Sequence, residues 1–177
     1  AFQRDGAPPM VETFCLERRL VAAGARFVSL TYSRWDWPGS DGLNFPKSRE
    51  EFPLLDTGLA ALVRDLHERG LNHDVSVVVW GEFGRTPTAE GGTNGRDHNP
   101  EGFLTWMAGG GVRGGQVVGA TDAIGLRAIE RPYHFRDIHA TILHTLGLNH
   151  EKLTYRYNGR DFRLTDVAGN VVKPILA

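Results

Sequence analysis

Cysteine occurs once in the 177 residues, at Cys15, so no disulfide can form within the chain and its redox chemistry does not reveal a compartment. An excess of charge is missing too: 20 Lys and Arg against 21 Asp and Glu leave a net −1. That balance argues against a nucleic-acid footprint and against a membrane-surface patch. Long apolar runs are absent. A run such as residues 75–80 is far short of the roughly 20 residues that cross a bilayer. The first residues, Ala-Phe-Gln-Arg-Asp, lack the charged and apolar regions of a signal peptide, as a processed or truncated chain would. There is no internal repeat and no second-domain linker, so residues 1–177 are expected to form one domain. Its 41% hydrophobic and 23% charged content is ordinary for a soluble globular chain with a sizeable core.

Against these absences stand 22 glycines, which cluster in two places and punctuate the secondary structure. The spacing of Phe14, Leu16, Leu20 and Val21 predicts a helix over 11–23 that stops at Gly24. Residues 26–32 are rich in β-formers and read as a strand running into the loop Ser33-Arg34-Trp35-Asp36-Trp37-Pro38-Gly39. Leu55, Leu59, Leu62, Val63 and Leu66 share one face of a helix opening at Pro53 or Asp56 and ending at Gly70. Residues 75–80 are continuously apolar apart from Ser76, the pattern of a strand covered on both faces of a parallel sheet. A strand over 103–108, a further one at Val117-Val118 and a helix over 135–146 follow. Turns and short strands around Asn158-Gly159 close the chain. The alternation predicts an α/β fold, a mostly parallel sheet flanked by helices.

Polar residues collect just past the expected strand ends, where ligands of open α/β sheets bind. Asp36 follows the first strand, Glu82 and Arg85 the second, and Asp97 and His98 the loop beyond. Carboxylates and imidazole are oxygen and nitrogen ligands of zinc or manganese, and Asp36, Glu82, Asp97 and His98 are the candidate metal ligands. The planar fork of Arg85 or Arg96 suits a phosphate or sulfate oxyanion. Each feature also has a plain structural reading. Asp36 can form an Asx turn, Glu82 and Arg85 a structural ion pair, and Asp97-His98 a turn with a solvated imidazole.

Residues 109–114 match GxGxxG, but the following Gly115-Gln116-Val117-Val118-Gly119 is not helical and Asp122 is too near to be the fingerprint's acidic residue. Those glycines are better explained by a backbone turning where a side chain would clash. His139 and His144 are five apart, a poor spacing for one metal on one helical face, and His134 stands where it would cap the helix that follows. His67, His73 and His150 sit near helix ends, where an imidazole often meets the last carbonyls. Ser33, Ser40 and Thr86 lie near the polar clusters without the context of a nucleophile elbow.

Four motifs in order carry a resemblance: Glu82-Phe83-Gly84-Arg85-Thr86-Pro87, Gly95-Arg96-Asp97-His98-Asn99-Pro100, Ala108-Gly109-Gly110-Gly111-Val112 and Gly119-Ala120-Thr121-Asp122. In this order and spacing the chain resembles the bacterial domain-of-unknown-function family 1501, which belongs to the sulfatase and alkaline phosphatase superfamily. Residues 137–147 are similar to that superfamily's late helix. The resemblance runs from about Leu16 to the C-terminus. It implies an alkaline-phosphatase-like parallel sheet between helices, two divalent metal ions, and hydrolysis of small anionic phosphate or sulfate esters. By position Asp36 resembles the first metal-binding Asp, Glu82 the second acidic ligand and His98 the late His. Two departures stand out. Pro38 occupies the place of a histidine in Trp-Asp-x-His, and Glu82-Phe83 replaces an Asp-His pair.

The superfamily's first ligating Asp and its nucleophile lie in an N-terminal half, so the resemblance implies that this chain is the C-terminal portion. It further implies a missing N-terminal segment or a homo-oligomer as partner, and an extracytoplasmic location. The leading expectation is a sulfatase- or phosphatase-like, metal-dependent hydrolase. Its rival is a non-catalytic domain of the same fold with a degenerate metal site, binding an anionic glycan or a partner protein.

Overall fold

The computed structural model describes residues 10–33, 35–37, 39–89 and 91–177, with the backbone alone for Met10 and Val11. Pro38, on which one of the two departures rests, lies outside the described residues. The chain gathers into two compact units, one made of residues up to Asn72 together with Arg85–His98, the other of His73–Gly84 and Asn99–Ala177.

The first unit is helical. Helix α1 (Met10–Ala22) packs on α2 (Asn44–Glu68), and a 3-10 turn (Gly39–Asp41) lies between them in sequence. The contact is tight at Gly58: a Cβ there would sit 2.7 Å from the Phe14 ring, so a glycine lets the two helices close up. Phe14 and Leu66 are buried, and an Arg18–Asp65 ion pair of 2.8 Å lies alongside. Helix α2 begins about nine residues before the expected start at Pro53. Pro46 falls in its first turn, where a missing N–H costs nothing. Pro53 is carried inside the helix, one hydrogen bond short.

The second unit holds two-strand antiparallel pairs. Strand β1 (Ser76–Val79) pairs with β4 (Trp106–Gly109), with Val77 opposite Ala108 and Val79 opposite Trp106. Strands β5 (Ala120–Thr121) and β6 (Ala128–Glu130) form a second pair, and β7 (Thr154–Tyr157) and β8 (Arg160–Arg163) a third. Asn158 and Gly159 join the last two with φ of +47° and +78°, the conformation that a two-residue hairpin turn demands. Short strands β2 (Gly84–Arg85) and β3 (His98–Asn99) form a further pair. Helix α3 (Phe135–Thr145) buries Ala140 and Thr141, and the latter's hydroxyl accepts from the Val172 amide at 2.9 Å.

The expected mostly parallel sheet flanked by helices is therefore incorrect for the described residues. The reason lies in two elements. Residues 26–32 have the composition of a strand but no ladder partner among the described residues, and Phe27 is 71% exposed. β-propensity reports fitness for a sheet surface; it does not supply the neighbour. With that strand gone, both α1 and α2 precede every strand and the alternation disappears. Strand β1 then meets β4 after an excursion that contains β2, β3 and loops but no helix. A parallel pair needs a crossover, usually helical, so this connection leaves β1 with an antiparallel neighbour. Val117-Val118 form no strand either; pairing starts at Ala120. The glycines at 109–111 serve close approach. A Cβ at Gly109 would overlap the Val75 carbonyl oxygen, and one at Gly110 would lie 2.5 Å from that of His73.

Candidate functional site

Within the first unit, three of the candidate residues meet. His98 Nε2 lies 2.7 Å from Asp36 Oδ1, and a guanidinium nitrogen of Arg85 lies 3.8 Å from the same oxygen. Asp36 is the most exposed of the three and Arg85 the least. The pair joins residues 62 apart in sequence, so the surrounding loops must be held by something other than local propensity.

Much of that holding is done by backbone carbonyls. Arg85 donates to the Trp35 carbonyl and, at 3.2 Å, to that of Arg96. The Trp35 indole donates to Glu51 Oε2 at 3.1 Å, and the Tyr32 hydroxyl donates to the Glu51 carbonyl at 3.2 Å. Burial, and then the Glu51 charge, raise the Tyr32 pKa above its usual phenol value. Ser33 and Trp35 both adopt left-handed backbone, φ +54° and +50°. Such conformations cost on the order of 1–3 kcal/mol each and persist only where neighbours over-determine them. The Ser33 hydroxyl is buried and makes no hydrogen bond among the described residues.

Asn44, the buried first residue of α2, links the two loops. Its amide nitrogen donates to the Trp37 carbonyl at 2.7 Å, and its oxygen accepts from the Arg96 amide at 2.6 Å. Gly95 makes their closeness feasible, because a Cβ there would overlap the Gly39 carbonyl oxygen. Sequence reasoning missed Asn44, Glu51 and the Trp35 carbonyl. A signal existed for Asn44 alone: Pro46 marks a helix start, and an Asn two residues before it is where end groups are satisfied.

The other candidates sit apart in role. The Asp97 carboxylate accepts from the amide of His98 at 2.7 Å, and its own amide donates to Thr86 Oγ1 at 3.1 Å, so it shapes the turn. Arg96 spans the carbonyls of Asn94 and Gly95, each at 3.0 Å, with its guanidinium 5.1 Å from the centre of the Phe45 ring. Glu82 belongs to the second unit, exposed on the loop that leaves β1.

Asp36 and His98 present the oxygen and nitrogen donors that zinc accepts, but a catalytic zinc takes three protein ligands. No three of His, Cys, Asp and Glu gather into such a site among the described residues. The Arg85 cation also stands close to the carboxylate. The arrangement fits a hydrogen-bonded Asp–His pair with an adjacent guanidinium better than a closed metal shell.

Among the remaining histidines, His134 caps α3: its ring accepts from the Arg136 amide while Asp137 Oδ2 accepts from the His134 amide. His139 lies edge-to-face with Trp80 at 4.9 Å and with Phe135 at 5.8 Å, and burial lowers its pKa. His150 is buried, 3.0 Å from the Thr165 hydroxyl.

Fold and cluster together define a mixed protein of helices and short antiparallel pairs, with a loop-borne Asp–His–Arg cluster. Residues 3–176 match the family described as Protein of unknown function (DUF1501), and the chain belongs to that family. No curated protein and no solved structure matches it.

Proposed function

We propose that the chain carries part of a hydrolytic site for small phosphate or sulfate esters, as its resemblance to the sulfatase and alkaline phosphatase superfamily implies. The observation behind this reading is the 2.7 Å contact of His98 with Asp36, with the Arg85 guanidinium 3.8 Å from the same carboxylate. In such a pair the carboxylate orients the imidazole, a group able to take or give a proton, and a nearby arginine favours an oxyanion. A divalent ion such as zinc or manganese belongs to the reading as a condition of the test, because among the described residues the cluster brings two such donors together, Asp36 and His98. An extracytoplasmic setting goes with the same resemblance, and no described helix is long and apolar enough to cross a membrane.

A second reading is favoured by Arg85 itself. Its donations to the Trp35 and Arg96 carbonyls make it a brace between two loops, as a non-catalytic binding domain would use it. Turnover of 4-nitrophenyl phosphate and 4-nitrophenyl sulfate, measured with and without zinc or manganese and with hydroxylamine supplied in place of the nucleophile that the resemblance assigns to an N-terminal half, separates the two. Hydrolysis that falls at least about a hundredfold in both Asp36→Asn and His98→Gln supports the hydrolytic reading. No turnover under any metal condition, or turnover that both variants retain, rejects it and leaves the brace.

A further inference from the structure

Helix α2 turns one stripe of side chains outward beside this cluster. Phe45, Ser48 and Phe52 recur at helical spacing, and with Arg49, Pro53 and Asp56 they line an open groove of about 630 Å³. That volume is within the roughly 300–1,000 Å³ usual for small-ligand sites. Phe45 and Phe52 are 45% and 49% exposed, so two aromatic rings on one helix stand half uncovered. The groove is also charged to one side: Arg49 lies in its wall and the Arg96 guanidinium lies over the Phe45 ring, against the single carboxylate of Asp56.

Packing ties the groove to the cluster. The Phe52 ring meets Trp35 edge-on at 5.5 Å, and Asp36 is the next residue along the chain. Asn44, at the head of the same helix, holds the Trp37 and Arg96 backbones that frame His98. We propose that this groove takes the organic part of the anionic ligand, and that the part is aromatic. A ring would lie against Phe45 and Phe52, with its phosphate- or sulfate-type group towards the arginines and the Asp36–His98 pair. Offset or edge contacts between rings favour an aromatic over an alkyl occupant. The inference rests on the anion-binding part of the reading above.

Calorimetric titration of the whole chain with phenylphosphonate and methylphosphonate tests it, since both carry the same anion and neither has an ester bond to cleave. Phenylphosphonate is expected to bind at least about tenfold more tightly, which is about 1.4 kcal/mol. Phe45→Ala, and separately Ser48→Phe, which fills the groove, should abolish that preference. Equal affinities in the parent chain, or a preference that survives both variants, overturn the groove while the anion site stands. Binding of neither phosphonate overturns the anion site and the groove with it. A groove filled instead by a second copy would show as a concentration-dependent mass that Phe45→Ala reduces, which also overturns the small-ligand occupant.

Discussion

Asp36, Arg85 and His98 were legible in the sequence as polar residues on loops past apolar runs, and the structure brings these three together. What the sequence concealed was the means. Asn44 and Glu51 lie ahead of the expected helix start at Pro53 or Asp56, in a stretch outside any expected element, and the Trp35 carbonyl has no signature because any residue carries one. Backbone acceptors set by left-handed residues at 33 and 35 cannot be deduced from side-chain chemistry.

His139 gives the residue-scale prediction. Its ring sits among Trp80 and Phe135, and burial there disfavours the imidazolium, so its folded pKa lies below 6.5. The unfolded chain binds this proton near 6.5 and the folded chain binds it only at lower pH. Within that window the unfolded state holds more protons, so stability rises with pH. The contribution is fully present above 6.5 and declines as pH falls below it. Urea midpoints should therefore drop between pH 7.5 and pH 5, and His139→Phe, which keeps a ring in place, should flatten the drop. A parent midpoint that is level across the range, or a slope that His139→Phe leaves unchanged, would refute the assignment.

At the scale of elements, legibility followed local chemistry. Helices α1 and α3 and the turn at Asn158-Gly159 lie close to where periodicity and turn residues put them, and His134 caps α3 as its position suggested. The failures are elements that depend on distant partners. Residues 26–32 lack a ladder neighbour, and α2 starts early because Asn44 is tied to residues 37 and 96. Asp137 shows how much one local residue can hold. Its two oxygens accept from the His134 amide at 2.9 Å and the Asn170 amide at 2.7 Å, closing the cap of α3 and fastening a distant loop to it. Asp137→Ala removes both bonds. An N-terminal cap is worth about 0.5–2 kcal/mol, and a charge-assisted bond adds a comparable amount. The expected loss is about 1.5–3 kcal/mol by urea unfolding. A loss below about 0.5 kcal/mol would mean that solvent replaces these contacts without cost.

For the whole chain, apolar patterning marked the strands expected at 75–80 and 103–108 but not their direction, because a continuous apolar run is written the same way for parallel and antiparallel neighbours. The run at 75–80 also suggested cover on both faces, and there the second unit differs. Trp80 leaves the end of β1 where Phe103, Leu104 and Trp106 lead into β4, and all four are exposed, Leu104 by 78%. The β1–β4 pair has two strands, so each has an outer edge without a strand partner among the described residues. Exposed aromatic and aliphatic groups beside open edges mark association surfaces. The chain should accordingly self-associate at tens of micromolar, with a light-scattering mass above that of one copy. Leu104→Lys places a charge in the middle of the apolar group and should shift the mass towards 19.6 kDa. It should also reduce binding of an apolar dye to the parent surface. If the parent is already a single copy at that concentration and Leu104→Lys changes neither readout, these residues are simply solvated, and the end of the β1–β4 pair is not an interface.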